Sequence, residues 1–168
     1  MWLTIWLACH QEAPVETTST ETKPVPEQET LVKQSTEEVK SFLEGRLFFA
    51  KPPECMSDCI VKVTRQVDKW TPQTAIDSLY EGPSKEEEGL RFIDCGSTGA
   101  KLQTVESGVA KVQLEGDCGD CGTMSVYDLL LPTLKAFPEI DVVQLYDSRG
   151  KSQIEGPKVD SRPACLEP

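Results

Sequence analysis

Between residues 46 and 151 apolar positions recur either every second residue or every third to fourth, and the switch between spacings predicts the elements. Leu47, Phe48, Phe49 and Ala50 make a short apolar strand. After the Pro52-Pro53 loop, residues 60–67 alternate. Ile60, Lys62, Thr64 and Gln66 fall on one face, and Val61, Val63, Arg65 and Val67 on the other. Thr71-Pro72 is a helix start, because threonine can accept an orphan N–H and proline lacks the N–H that would be orphaned. Ala75, Ile76, Leu79 and Tyr80 supply one apolar face, and Gly82-Pro83 stops the helix. Residues 102–106 and 109–114 flank Ser107-Gly108, a two-residue hairpin turn. Ser125 and Asp128 mark a second helix carrying Val126, Leu129, Leu130, Leu134 and Phe137, which Pro132 should kink or split. Residues 142–146 are a last buried strand, stopped by Asp147-Ser148-Arg149-Gly150. The order strand, strand, helix, strand, strand, helix, strand predicts an α+β fold of two layers, a mostly antiparallel sheet with two helices packed on one face.

The flanks read differently. Residues 1–8 are an apolar run ending in a small residue before Cys9, similar to the end of a bacterial lipoprotein signal peptide in which that cysteine is cleaved free and acylated. The run is too short to span a bilayer and has no basic start, as a reading frame opened too late would leave it. Residues 10–45 form an acidic linker rich in Pro and Thr. Most of it has nothing to bury that would offset the entropy of ordering, so it reads as a disordered tether. Within it, residues 36–43 place Val39, Phe42 and Leu43 at helix spacing, a helical lead-in. The expected organisation is therefore a signal end at 1–9, a linker at 10–45, a domain at 46–151 and a loose tail at 152–168 pinned by Cys165.

Charge narrows the partners. The chain has a net charge of -11, with eight acidic and three basic residues in 10–45 and the remaining excess spread over the domain. No basic patch is present to neutralise phosphates, which argues against nucleic acid and against an electrostatic grip on anionic lipid. The only histidine is His10, in the linker, so Ser-His-Asp or Cys-His catalysis has no base in the domain. Glu86, Glu87 and Glu88 read as a solvated face, since no calcium-loop spacing surrounds them.

Seven cysteines are the remaining chemistry: Cys9, Cys55, Cys59, Cys95, Cys118, Cys121 and Cys165. With Cys9 acylated, six remain for disulfides, and six permit fifteen connectivities. Cys118-Gly119-Asp120-Cys121 is also the spacing of a thiol–disulfide redox pair, although Asp117 and Asp120 would oppose a thiolate there. A third arrangement gathers Cys55, Cys59, Cys118 and Cys121 around zinc. An exported chain favours the disulfides, with no cofactor and no metal.

Five stretches in order resemble the GerMN domain, named for sporulation and germination proteins and found in bacterial envelope lipoproteins. They are the aromatic strand at Arg46-Leu47-Phe48-Phe49, the strand carrying Arg65, and Leu79-Tyr80-Glu81-Gly82-Pro83-Ser84 with its acidic turn to Gly89. The hairpin strand from Gly108 to Leu114 and Thr133-Leu134-Lys135-Ala136-Phe137-Pro138 complete the set. Gly82, Pro83, Ser84, Gly89, Thr133 and Leu134 carry the motif; the Cys55–Cys59 loop and the CGDC loop look like additions. The resemblance implies a non-enzymatic, extracytoplasmic, membrane-anchored module of the cell envelope. Its expected partners are an envelope protein or cell-wall component, or further copies of itself.

Overall fold

The computed structural model describes residues 42–52, 59–154, 156 and 158–166. Cys9, Cys55 and almost all of the 36–43 lead-in lie outside them. β1 (Leu43–Ala50) and β2 (Ile60–Val67) pair antiparallel with no register shift, from Leu43 opposite Val67 to Ala50 opposite Ile60. α1 (Pro72–Glu81) follows, then β3 (Ser97–Glu106) and β4 (Val109–Gly116), antiparallel with two irregularities in register. α2 (Val126–Leu134) and β5 (Val142–Tyr146) complete the set. The fold is α+β, as the apolar pattern predicts.

Three details differ from that pattern. The strands form two sheets, β1-β2 and β3-β4-β5, rather than one continuous sheet. β5 joins β4 in parallel, because α2 carries the chain back across the sheet between them. β1 starts at Leu43, so the domain begins before residue 46 and Leu43 belongs to a strand instead of a helical lead-in.

Local chemistry accounts for the element ends. Thr74 N–H donates to Thr71 Oγ1 at 3.2 Å and Thr71 N–H to Thr74 Oγ1 at 2.8 Å, a reciprocal cap in which Thr74 replaces the usual glutamate. At the far end Gly82 takes φ of +83°, open to glycine at little cost, and its N–H returns to Leu79 O. α2 runs through Pro132 and stops at Leu134; Phe137 is buried beyond its end. The hairpin turn places Ser107 and Gly108 at φ of +51° and +82°, the left-handed pair whose twist matches the strands it joins.

Both helices bury their apolar stripes between the sheets. α1 lies on β1 and β3, α2 on β1 and β5, and the two helices touch each other. Ile76, Leu79, Leu130 and Leu134 meet Leu47, Phe49, Val112 and Leu145 in one core, all completely buried. Each such side chain contributes roughly 1.5–3 kcal/mol by leaving water.

The tail is part of this core, which corrects the loose 152–168 segment. Ser161 bridges to Gln144 in parallel: its N–H donates to Val143 O at 3.1 Å, and its carbonyl accepts Leu145 N–H at 2.9 Å. Asp160 Oδ1 accepts Val143 N–H at 2.7 Å, and Leu166, in a 3₁₀ turn at Ala164–Leu166, is fully buried. The outer edge of β5 is thereby covered. At the opposite edge, the Gln73 amide takes the place of a neighbouring strand, donating to Ala100 O at 3.2 Å and accepting Leu102 N–H at 2.8 Å.

Candidate functional site

Two clusters gather the residues singled out by sequence. The first is the turn after α1. Arg65, the one charge on the inward face of β2, crosses to it: Nε donates to Glu87 Oε1 at 2.9 Å and Nη2 to Glu87 Oε2 at 2.5 Å. The same Nη2 donates to Gly82 O at 2.8 Å, and the guanidinium sits over the Phe49 ring at 5.3 Å. Ser84 N–H donates to Glu87 Oε2 at 2.8 Å. Arg65 and these hydrogen bonds hold the Glu87 carboxyl below the ordinary glutamate value. Glu87 therefore does not belong to a solvated face; its side chain is 12% exposed and locks the turn.

The motif residues around it have architectural roles. Gly82 caps α1, Ser84 starts the turn that Glu87 closes, and Gly89 adopts φ of +82° where the chain turns back toward the core. Thr133 is buried, its hydroxyl donating to Leu129 O at 2.8 Å, and Leu134 lies in the core. Sequence reasoning placed Arg65 on the valine face of β2 but missed its partner. A charge on an otherwise apolar face was the available signal, since such a group needs a counter-charge within reach.

The second cluster is built on sulfur. Cys95 bonds Cys121, and Cys118 bonds Cys165, closing separations of 26 and 47 residues. The cysteines of the CGDC loop are thus not bonded to each other. Each serves a separate bridge, and in this state neither is the thiolate that a zinc site would use. No cluster of metal-ligating side chains occurs among the described residues. Cys59 is buried at the start of β2.

Polar contacts fix the sulfur cluster in place. Gly119 N–H donates to Cys95 O at 2.8 Å, and Val126 N–H, the first of α2, points at Cys95 Sγ at 3.3 Å. Cys121 Sγ folds back to 3.5 Å from Gly119 O. A cleft of about 630 Å³ opens beside Cys95 and Cys121, and another of about 600 Å³ beside Cys118 and Cys165. Nearby, Tyr80 shares a 2.7 Å hydrogen bond with Ser97, which donates to Asp94 O at 2.5 Å; burial pushes the phenol up to about 12.

No family model matches the chain, and no curated protein matches it. Among solved structures it is similar to the tandem GerMN domains of the sporulation protein GerM from Bacillus subtilis, with a TM-score of 0.49 and 19% identity. The match covers 82% of this chain and 51% of that one, so this chain spans about half the length of the tandem structure. A likeness of that degree assigns no activity or partner. No helix among the described residues is long and apolar enough to cross a membrane.

Proposed function

We propose that the chain is a GerMN-like module that is exported, tethered to a membrane by lipid on Cys9, and engaged in binding or assembly in the cell envelope rather than in catalysis. The observation that carries the reading is the pair of interlocked disulfides, Cys95–Cys121 and Cys118–Cys165. Such bridges persist in oxidising compartments and are rare in cytosolic proteins. The apolar run before Cys9 and the acidic linker after it supply the two further parts of a tethered design. A non-enzymatic role agrees with the motif residues: the polar groups of Arg65, Gly82, Ser84 and Glu87 are engaged with one another. Its partner is an envelope protein, a cell-wall component or another copy of the chain.

The test is metabolic labelling with palmitate in a bacterial host, with and without globomycin. Label is expected on the wild type and absent from Cys9→Ser. Unlabelled protein recovered from the cytosol with reduced cysteines overturns the reading.

A further inference from the structure

We propose that the Cys118-Gly119-Asp120-Cys121 loop is a thiol–disulfide relay. Reached by a dithiol reductant, it trades the two native bridges for a single Cys118–Cys121 bridge and so unlatches the C-terminal segment from β5.

The arrangement differs from an ordinary structural bridge pair in that two sulfurs of one four-residue loop belong to different disulfides. A thiolate produced at Cys118 therefore has a second disulfide three residues away in its own loop. The sulfur that must leave in such an attack is Cys95 Sγ. It receives the first N–H of α2, and an N–H at a helix N-terminus favours negative charge on sulfur and makes it a better leaving group. Both bridges border open clefts, so an attacking thiol has access.

The electrons balance with one dithiol. Its first thiolate attacks Cys165 Sγ, breaking Cys118–Cys165 and leaving a mixed disulfide at Cys165 and a thiolate at Cys118. The Cys118 thiolate attacks Cys121 Sγ, forming Cys118–Cys121 and expelling Cys95 as thiolate. The second thiol of the reductant resolves the mixed disulfide, leaving oxidised reductant and a Cys165 thiolate. The two protons released by the reductant are taken up by Cys95 and Cys165. Two native bridges have become one loop bridge and two thiols.

The mechanical result follows from where Cys165 sits. It lies four residues beyond Ser161, whose backbone covers the β5 edge through Val143 O and Leu145 N–H. With Cys165 free, that cover loses its covalent tie and rests on non-covalent contacts. Among them are the Ser161 backbone bonds, Asp160 with Val143 N–H and Lys135, Ser152 with Ser161, Arg162 over Tyr127, and buried Leu166.

The oxidised full chain, titrated with less than one equivalent of dithiothreitol, quenched with acid, alkylated and peptide-mapped, tests the relay. Relative to the untreated chain, the expected two-thiol species gains label on Cys95 and Cys165 and a bridge between Cys118 and Cys121. Label on Cys118 and Cys165 with Cys95–Cys121 intact is plain reduction and overturns the relay. In Cys165→Ser, which needs no reductant, the Cys118 thiol should migrate the bridge and leave Cys95 open to alkylation. Alkylation confined to Cys118 overturns it again. Hydrogen exchange on the two-thiol species reads the latch: Leu145 N–H should exchange at least tenfold faster than in the oxidised chain, and unchanged protection overturns the unlatching. Palmitate labelling at Cys9 is independent of every one of these outcomes, so the tether and the relay fail separately.

Discussion

Arg65 and Glu87, 22 residues apart, meet in a two-pronged pair with bonds of 2.9 and 2.5 Å. Arg65 simultaneously accounts for the Gly82 carbonyl that α1 leaves unpaired at its end. Strand, helix end and turn are thus tied by one guanidinium, and its removal acts on all three. Glu87→Gln should cost about 1.5–3 kcal/mol at neutral pH, the range for hydrogen bonds to charged groups, toward the lower end at this partly buried site. The Glu87 carboxyl is depressed in the fold from an ordinary 4.5. Its contribution is therefore fully present above that value and is lost as pH falls through the lower, folded value. Denaturant midpoints should separate wild type from Glu87→Gln at pH 7, and the gap should narrow as the pH drops below about 4.

Gly45 lies under the Trp70 ring, so close that a Cβ there would meet Cε3 and Cζ3 at 2.6 Å. Trp70 is also stacked on Phe137, with centroids 5.6 Å apart, so it cannot retreat freely. Gly45→Ala should therefore destabilise the domain by about 1–3 kcal/mol, the usual cost of overpacking. The control is Gly45→Ala with Trp70→Leu, which should lose less in thermal melts than the two single changes added together.

The Gln73 amide stands in for a missing strand at the β3 edge. Gln73→Ala removes both bonds and should cost about 1 kcal/mol. The diagnostic is local: hydrogen exchange at Leu102 N–H should accelerate well beyond the global change, while amides paired between β3 and β4 follow global stability.

Removing the bridges should weaken the fold unequally. On the chain-entropy view, closing separations of 26 and 47 residues contributes about 3.5 and 4 kcal/mol respectively. Paired substitution of Cys118 and Cys165 by alanine should thus lower the urea midpoint at least as far as the same change at Cys95 and Cys121. Only in the first variant should the β5 amides lose protection beyond the global change. Equal loss at β5 in both variants would show that the C-terminal segment is held by contacts other than its bridge.

What the chain disclosed in advance was local. Thr71-Pro72, Ser107-Gly108 and the valines of β5 act within one turn or one strand, and each forms the element that its spacing implies. Arg65 with Glu87 and Gln73 with the β3 edge escaped, because polar side chains far apart in sequence carry no periodicity that links them. Ser161 escaped for a related reason. A single polar residue covering an edge through its backbone leaves no side-chain pattern, and its burial is imposed by Cys165 and Leu166 on its C-terminal side. The disulfide partners escape too: six cysteines permit fifteen arrangements, and nothing in their spacing tells that Cys121 pairs with Cys95 and Cys118 with Cys165.

The two bridges also interleave: Cys118 lies inside the span from Cys95 to Cys121, and Cys121 lies inside the span from Cys118 to Cys165. A chain threaded through a membrane pore from its N-terminus presents these four thiols in numerical order. An oxidase acting on arrival would join Cys95 to Cys118 and strand Cys121 until Cys165 emerged. Maturation by that route has to undo its first bond, so the yield of native protein should depend on a disulfide isomerase as well as on an oxidant.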